Sequence, residues 1–409
     1  MRFDVMIVGA GPAGTSCALT LKESGLRIAL IDKARFPRDK ICGDALSGKV
    51  PGILKHISPE VTKRFFEFPS KIGSWGIRFV APNRKYLDIP FKSSPKHVFP
   101  QAPGFVSKRL DFDYFLFKCA AELPNISVFE EFTIQDISLE NHSVIIKSSE
   151  MTLEAPLVIG ADGAHSIVNK KLGGIKVEKK HYSAGIRAYY QGVTDFHEDH
   201  FIELHFIKSL LPGYFWIFPL PGGMANVGLG MLSQDISLSR INLRKEFERI
   251  IREDPGIAPR FENATQMDKI QGFGLPMGSK IRKISGERFM LTGDAAALID
   301  PFSGEGIGNA MLSGKKAAEH AMRCFENNDF SATFMAQYDD SVYRKIWQEL
   351  KLSHQMQKLI KYPWIFDFVV NRARRSPSLQ KLFTMMFDDL DLRKELSRPG
   401  FYWNMVRGK

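Results

Sequence analysis

The chain opens with a short hydrophobic run that ends in glycine. Residues 3–8 read Phe-Asp-Val-Met-Ile-Val and lead into Gly9, a pattern typical of a buried parallel strand. The residues that follow predict a helix from Pro12 to about Ser24, ended by Gly25, and then a second strand from Arg27 to Ile31. Strand, helix and strand in this order predict a βαβ unit at the start of the chain.

The middle of the chain has a different pattern, in which short runs alternate apolar and polar residues. These runs predict strands at Trp75–Val80, Lys85–Phe91, Ala184–Tyr190, Phe201–Ile207, Tyr214–Leu220 and Ala225–Met231. The sequence Pro221-Gly222-Gly223 between the last two runs predicts a hairpin turn. We therefore expect an antiparallel sheet here.

Helical patterns dominate the later part of the chain. Ile241–Arg252 reads as an amphipathic helix, and Gly293–His320 contains a glycine-rich loop that leads into another helix. After about Phe330 the pattern is mostly helical, with breaks at Pro363, Pro377 and Pro399. No stretch of about 18 uncharged apolar residues occurs, so the sequence predicts no membrane-spanning helix.

Composition narrows the class of protein. A length of 409 residues predicts two or three packed units, and 44% hydrophobic with 25% charged residues is ordinary for a globular protein. The four cysteines are too few and too scattered for a disulfide framework or a zinc cluster, so we expect no metal. The N-terminus lacks the pattern of a signal peptide, which favours a cytoplasmic location.

The positive charge is concentrated near the C-terminus. Residues 341–409 contain fourteen Lys/Arg and six Asp/Glu, which gives +8 of the total +11. Such a segment suits an anionic membrane face, so a location peripheral to the membrane is an option. A solvated helical surface explains it equally well. We expect no nucleic-acid partner, and the sequence leaves the oligomeric state open.

The first motif that carries chemistry is Gly9-Ala10-Gly11-Pro12-Ala13-Gly14, which fits G-x-G-x-x-G. It follows a strand, opens a helix, and has Asp32 at the end of the next strand, the expected context for dinucleotide binding. Lys33, the next residue, is a further candidate for contact with the cofactor. Gly9 permits the turn, Gly11 admits a pyrophosphate, and Gly14 allows close packing of helix and strand. The helix N-terminus then offers amide donors to the phosphates, and Asp32 accepts from a ribose hydroxyl. The alternative is a glycine-rich turn without a ligand.

Two distal motifs indicate which nucleotide is bound. They are the strand and turn Val158–Ser166, and the strand and loop that run from Leu291 through Asp294 to Gly308. With the first motif they resemble the three signatures of the p-hydroxybenzoate hydroxylase-like flavoprotein superfamily. The resemblance implies FAD, with Asp294 on its ribityl or ribose hydroxyls and the Gly304–Gly308 helix start at the flavin ring. It also implies cofactor contacts from Asp162, Gly163, Pro301, Gly304, Gly306, Ile307 and Gly308, although Asp162 can serve either FAD or an incoming nicotinamide.

A narrower resemblance rests on two more segments. Residues 35–44, Arg-Phe-Pro-Arg-Asp-Lys-Ile-Cys-Gly-Asp, contain the Lys-x-Cys-Gly pattern of the geranylgeranyl reductase family. Residues 212–219, Pro-Gly-Tyr-Phe-Trp-Ile-Phe-Pro, are similar to that family's Tyr-x-Trp-x-Phe-Pro motif, and depart from the Trp-x-Trp-x-Ile-Pro of flavin halogenases. The resemblance places Cys42 and Gly43 near the cofactor.

Several side chains keep two interpretations. Tyr214, Trp216 and Phe218 share one face of a strand and form either the wall of an apolar pocket or ordinary core. Cys42 is either a thiol acidified by Arg38 and Lys40, acting near the flavin, or a packing residue. Arg109 stands where related flavoproteins place an arginine against FAD, with a surface ion pair as its alternative. We assign no chemistry to His165.

The motifs and patterns together predict an α/β fold. It combines an FAD-binding Rossmann-like domain of the glutathione reductase type, an inserted antiparallel-sheet substrate domain and a C-terminal helical region. The FAD-binding domain is predicted at 1–70, 101–175 and 276–330, the substrate domain at 71–100 and 176–275, and the helical region at 331–409.

The leading functional hypothesis follows from the resemblance. It is reduction of carbon–carbon double bonds of a geranylgeranyl-type prenyl lipid, with Cys42, Tyr214 and Trp216 as candidate catalytic residues. No second G-x-G-x-x-G lies between a strand and a helix, so electrons are expected from NAD(P)H that docks transiently or from another external donor. One alternative is a monooxygenase that hydroxylates an aromatic or polyketide substrate via a flavin C4a-hydroperoxide. Another is a flavoprotein that relays electrons or uses FAD for structure.

Overall fold

A computed structural model describes residues 1–92, 100–376 and 379–380. The predicted breaks at Pro377 and Pro399, and most of the basic segment beyond residue 376, lie outside the described residues. The strands are β1 (Val5–Val8), β2 (Ile28–Ile31), β3 (Ala45–Leu46), β4 (Ile72–Ser74), β5 (Gly76–Val80), β6 (Tyr86–Pro90), β7 (Gly104–Val106), β8 (Ile126–Phe129), β9 (Asp136–Glu140), β10 (Ser143–Lys147), β11 (Thr152–Ala155), β12 (Leu157–Gly160), β13 (Tyr182–Gln191), β14 (Ile202–His205), β15 (Tyr214–Leu220), β16 (Met224–Leu232), β17 (Thr265–Gln266), β18 (Gln271–Pro276), β19 (Ser285–Gly286) and β20 (Phe289–Leu291).

The described helices include those predicted after Gly11, after Ile241, after the Gly304–Gly308 loop and beyond Phe330, together with four between residues 49 and 239 that the sequence did not predict. They are α1 (Pro12–Thr20), α2 (Lys49–Ile57), α3 (Pro59–Glu67), α4 (Arg109–Ala121), α5 (Ser233–Ser239), α6 (Leu243–Glu253), α7 (Ile307–Asn327), α8 (Ala332–Leu359) and α9 (Pro363–Ala373). The prediction that α1 continues to about Ser24 is wrong. The amide of Asn125 donates to the carbonyl of Leu21 at 3.0 Å, and the Ser24 hydroxyl donates to the same carbonyl. These contacts take the place of a further helical turn.

The N-terminal βαβ unit belongs to a parallel sheet with the strand order β19-β20-β12-β1-β2-β8. Strands β1, β2 and β12 are buried along their whole length, because the sheet is covered on both faces. This explains why their sequences are hydrophobic runs without alternation. Helices α1 and α7 pack against each other so closely that a Cβ atom on Gly314 would lie 2.0 Å from the carbonyl oxygen of Ala13. Strand β19 pairs antiparallel at the edge.

The predicted substrate sheet has the order β17-β13-β16-β15-β14-β5-β6, with β18 also paired to β13. We expected it to be antiparallel throughout, and that detail is wrong because β14 runs parallel to β5. The chain enters β14 from a separate segment about 120 residues after β5, so no hairpin dictates the direction. One face of the sheet buries Trp216 and Phe218, and the other buries Phe215 and Ile217 against α6.

Two small sheets complete the described structure, β11-β10-β9 and β3-β7-β4. In the second, Ile72 of β4 pairs with Val106 of β7, so the sheet joins segments that the predicted boundaries assign to different domains. The boundaries themselves stay predictions. Among the described residues, no helix is long and apolar enough to cross a bilayer.

Candidate functional site

A cavity of about 1920 Å³ lies between the parallel sheet and the mixed sheet, which is the sheet β17-β13-β16-β15-β14-β5-β6. Val8, Ile31, Ala161 and Thr292, at the carboxyl ends of four parallel strands, open onto it. This edge is where open α/β sheets bind their ligands. A typical site for one small molecule has about 300–1,000 Å³, so the cavity has room for a dinucleotide and a second ligand together.

The turn after β1 has the geometry that its glycines predicted. Gly9 has a φ of 102°, which favours glycine. A Cβ on Gly14 would lie 1.8 Å from the carbonyl oxygen of Gly9, so α1 approaches β1 as closely as it does only because Gly14 lacks a side chain. Gly11 precedes α1 without a side-chain cap and lines the cavity together with Pro12 and Ala13. The N–H groups of this first turn are therefore suited to anionic oxygens.

Asp32 is fixed at the end of β2 by two backbone donors. The amides of Ala10 and Ala34 donate to its carboxylate at 2.8 and 2.9 Å. Asp32 and Lys33 both line the cavity, and an ionised carboxylate keeps acceptor capacity after two such bonds. The position therefore fits a ribose hydroxyl, as the sequence predicted.

A buried cluster of charges lies beside the Gly11 turn. Arg109 is 3% exposed and binds both carboxylate oxygens of Asp113 at 2.6 and 2.7 Å, while Arg38 binds the same carboxylate at 2.5 Å. Burial raises the pKa of Asp113, but the two arginines lower it by more, so the pKa lies below its ordinary value. Two guanidinium groups share one carboxylate, which leaves a net positive charge. A Cβ on Gly11 would lie 3.3 Å from the Arg38 guanidinium, so this charge meets the turn that would hold a pyrophosphate.

The alternative interpretation of Arg109 as a surface ion pair is therefore wrong, because the pair is buried. The sequence indicated Arg38 only as a positively charged neighbour of Cys42. Its pairing with Asp113, 75 residues away, had no sequence signal.

Asp294 and Asp162 stand at the ends of neighbouring strands in different environments. The carboxylate of Asp294 accepts from the ammonium of Lys40 at 2.7 Å, and both residues line the cavity. The carboxylate of Asp162 is held by its own turn, where it accepts from the Ser166 hydroxyl at 2.5 Å and the Ile167 amide at 2.6 Å. Gly163 lines the cavity beside it. Both assignments to the cofactor stay predictions.

The loop before α7 brings a helix start to the cavity. Gly304, Gly306 and Ile307 line it, whereas Pro301, Gly308 and also Gly14 are absent from its described lining. Gly308 instead donates its amide to Glu305 at 2.7 Å. The predicted cofactor contacts of these three residues stay predictions. Burial raises the pKa of both Glu305 and Asp300. The carboxylate of Asp300 accepts a hydrogen bond from the amide of Ser303.

The aromatic residues of β15 form one wall of the cavity. Tyr214, Trp216 and Phe218 line it on one side and join a hydrophobic cluster of the mixed sheet. The two interpretations are thus both correct, because these rings are packed on their inner side and face the cavity on the other. The Trp216 indole donates to Asn226 at 2.9 Å, and the Tyr214 hydroxyl donates to the carbonyl of Ser303.

A buried polar network lies behind this wall, and sequence reasoning missed it. Asp44 is fully buried and accepts from the Tyr189 hydroxyl and the Asn226 amide, each at 2.8 Å. The same amide donates to the carbonyl of Cys42 at 2.7 Å. Burial raises the pKa of Asp44 to about 7. The network therefore ties the Cys42–Asp44 segment to Trp216.

The hypothesis of an acidified Cys42 thiol is wrong. Arg109 and Lys40 lower the pKa of the thiol, but burial raises it by more, so the pKa lies above its ordinary value. A thiol that lines the cavity in the protonated form can donate a proton and is a poor nucleophile. Gly43, the next residue, lies against the ring of Phe218.

Comparison with known proteins agrees with this geometry. The model of the FAD binding domain family matches residues 2–319. A digeranylgeranylglycerophospholipid reductase of Methanosarcina acetivorans is 30% identical over 353 residues, which cover 85% of this chain and 81% of that protein. A menaquinone reductase of Mycobacterium tuberculosis is 29% identical over 341 residues, covering 77% and 76%.

Among solved structures, a geranylgeranyl bacteriochlorophyll reductase-like protein from Thermoplasma acidophilum superimposes with a TM-score of 0.79. The match has 24% identity and covers 97% of this chain and 98% of that one, which confirms the predicted fold. The chain is therefore an FAD-dependent oxidoreductase that belongs to the FAD-binding family and, within it, to the geranylgeranyl reductase branch.

Proposed function

We propose that the protein reduces carbon–carbon double bonds of a prenyl lipid, with electrons from an external donor such as NAD(P)H. The observation that carries the proposal is the continuity of one cavity from the Gly9–Gly14 turn to the aromatic wall of β15. One end of this cavity suits a dinucleotide and the other suits a long apolar chain. The names of the relatives, among them a digeranylgeranylglycerophospholipid reductase, support the same substrate class.

The residues that would hold FAD form a continuous band along the cavity. The Gly11 turn with Arg38 and Arg109 suits the pyrophosphate, Asp32 suits a ribose, and Asp294 with Lys40 suits further hydroxyls. When bound and reduced, FAD supplies a hydride to a substrate carbon. The protein contributes position and charge to this chemistry.

The apolar end of the cavity would orient the lipid and exclude water. Ile77, Ile202 and Leu204 line the cavity beside the rings of Trp216 and Phe218. An isolated alkene has no polar group to bind, so its position depends on the shape of such a wall. Holding the double bond in place is the main contribution that these residues can make to the rate.

Reduction of an alkene also requires a proton, and two neutral side chains are placed to hold one. Burial raises the pKa of the Cys42 thiol and of the Tyr214 hydroxyl, so both are protonated near neutral pH. The Tyr214 proton is engaged with the carbonyl of Ser303. Cys42 is therefore the better candidate for the donor.

The test is a single turnover without oxygen. Protein with bound FAD is reduced with dithionite and mixed with a digeranylgeranylglycerophospholipid, and the lipid is then examined by mass spectrometry. We expect the lipid to gain two hydrogens for each double bond reduced, and the flavin to reoxidise in step. NADPH in place of dithionite tests the nicotinamide as donor.

A pair of matched variants locates the lipid. Trp216→Phe removes the indole N–H that donates to Asn226. We expect this variant to retain FAD but to turn over the lipid about tenfold more slowly. Tyr190→Phe is the control, because Tyr190 lies on the opposite face of the sheet. Equal turnover by both variants would remove β15 from the lipid site.

Two outcomes would overturn the proposed reaction. Consumption of oxygen in proportion to a hydroxylated product would show a monooxygenase. Flavin that is reduced but never passes its electrons to a prenyl lipid would show an electron-relay or structural role.

A further inference from the structure

The end of α8 and the outer side of α9 expose a group of large apolar side chains. Leu359 is 52% exposed, Tyr362 57%, Trp364 70% and Phe368 64%. They occur within ten residues of the chain, whereas most other large apolar residues of the described structure are buried. Apolar groups clustered on a surface in this way mark a site of interaction.

Helix α9 has two distinct sides. Phe366, Val370 and Ala373 face inward and join the hydrophobic cluster of the mixed sheet, where the ring of Phe366 lies 4.5 Å from that of Phe206. Trp364 and Phe368 are four residues apart and therefore lie together on the other side. The helix is thus already anchored by one side, and its exposed rings are available for a partner.

Basic residues predominate in the segment that carries the exposed rings. Residues 358–376 contain Lys358, Lys361, Arg372, Arg374 and Arg375, against one acidic residue, Asp367. All five basic residues are exposed. Lys361 pairs with Asp235 at 3.0 Å. The other four basic residues outnumber Asp367, so this segment, the basic rim, keeps a net positive charge.

We propose that this face, which consists of Leu359, Tyr362, Trp364, Phe368 and the five exposed basic residues of the same segment, docks on an anionic phospholipid bilayer. Trp and Tyr side chains favour the interface between water and acyl chains. Basic residues at the edge are attracted to anionic lipid headgroups, and apolar side chains enter the headgroup layer without crossing the membrane. The inference goes beyond the proposed reaction and does not depend on it.

The charge argues against a second copy of the chain as the partner. A twofold dimer places the same surface on both sides of its interface, so the basic rim would face itself. Like charges opposed in this way are unfavourable. An anionic surface satisfies both the rings and the rim.

The proposed docking face also lies close to the cavity. Phe366 contacts Phe206, and Phe206 lies 5.8 Å from the ring of Tyr214, which lines the cavity. Gln357 near the end of α8 donates to the carbonyl of Pro301 at 2.6 Å, in the loop before α7. A bilayer on this face would therefore be separated from the cavity wall by α9 and the ring of Phe206.

The experiment is cosedimentation of the full chain, with FAD bound, with two kinds of vesicle. One kind contains phosphatidylcholine alone and the other adds phosphatidylglycerol. We expect binding to the anionic vesicles and much weaker binding to the neutral ones, with a loss in roughly 1 M salt, where the Debye length falls to about 3 Å. The double variant W364S/F368S should lower the partition coefficient on anionic vesicles about tenfold.

The control variant is L238S/I281S, since Leu238 and Ile281 are 73% and 55% exposed elsewhere on the surface. It should bind like the wild type. All variants should keep their FAD and their turnover of detergent-dispersed lipid, which separates docking from the reaction. Equal binding by W364S/F368S, or no preference for anionic vesicles, would overturn the proposal. A concentration-dependent dimer of the wild type that is lost in W364S/F368S would assign the face to a second copy of the chain, and would also overturn the proposal.

Discussion

The ammonium of Lys40 lies 2.7 Å from the carboxylate of Asp294, although the two residues are separated by 254 positions in the chain. The contact joins the Lys-x-Cys-Gly segment to the turn that follows β20. Both side chains are mostly buried and line the same cavity. The pair therefore fixes two of the segments that would surround FAD relative to each other.

Breaking this pair should weaken FAD binding. Asp294→Ala removes an acceptor for FAD hydroxyls and leaves the charge of Lys40 without its partner. We expect the Kd for FAD to rise at least about tenfold, which corresponds to about 1.4 kcal/mol. Titration of FAD into the flavin-free protein, followed by quenching of flavin fluorescence, measures the change.

A matched control exists on the surface. Lys171 and Asp136 form a similar pair at 2.6 Å outside the cavity, with both side chains well exposed. Asp136→Ala should leave the Kd for FAD unchanged. If the two variants have the same Kd as the wild type, Asp294 has no part in binding the cofactor.

Gly11 should tolerate no branched side chain. Gly11→Val places methyl groups beside the Arg38 guanidinium, at the first turn of α1, where the pyrophosphate is expected. The protein should fold but lose its FAD on gel filtration. Gly256→Val is the control, because Gly256 is exposed and its nearest atoms lie at 3.4 and 4.0 Å. Retention of FAD by Gly11→Val would place the phosphates elsewhere.

The features that the sequence predicted well are local ones. The Gly9–Gly14 turn is specified by residues that are adjacent in the chain, and the strands β15 and β16 by alternation on either side of Pro221–Gly223. Such patterns carry their own geometry, since a strand repeats every two residues and a tight turn requires glycine. The fold class followed from the order of these elements together with the resemblance of the distal motifs to a flavoprotein family.

Asp44 should make the stability of the protein depend on pH. Burial raises its pKa to about 7 in the folded protein, while in the unfolded chain the value is about 3.9. The folded state therefore holds a proton that the unfolded state has released between these values. The contribution of Asp44 to stability is lost as the pH rises from about 4 to about 7, and does not change above that.

Asp44→Asn removes this dependence while keeping an acceptor for Tyr189 and Asn226. Between pH 5 and pH 8 the wild type should lose about 2–3 kcal/mol of unfolding free energy relative to the variant. Urea unfolding at the two pH values measures the difference, and other titrating groups cancel in the comparison. A constant difference between the two proteins would show that Asp44 is already ionised at pH 5.

Cys42 should react slowly with thiol reagents. Burial raises the pKa of its thiol, so little thiolate is present near neutral pH, and the thiolate is the reactive form. Alkylation by iodoacetamide, followed by peptide mass spectrometry, should label Cys42 far more slowly in the native protein than in urea. Cys17 is fully buried and serves as the internal reference. Rapid labelling of Cys42 alone in the native protein would support the hypothesis of an acidified thiol.

The features that the sequence did not predict are contacts between distant segments. Nothing near Asp44 indicates that Tyr189 and Asn226 will donate to it, because those residues arrive from β13 and β16. The same applies to Cys42, where the sequence shows the positive neighbours but gives no measure of the burial that outweighs them. Burial and long-range pairing are properties of the packed chain, and they decide the chemistry of these groups.

The account depends on the binding of FAD in the cavity between the two large sheets. The most direct test is the absorbance spectrum of the purified protein, together with the amount of FAD released from it by denaturation. We predict a yellow protein that releases one FAD per chain. A colourless protein that takes up no flavin after incubation with excess FAD would contradict the account.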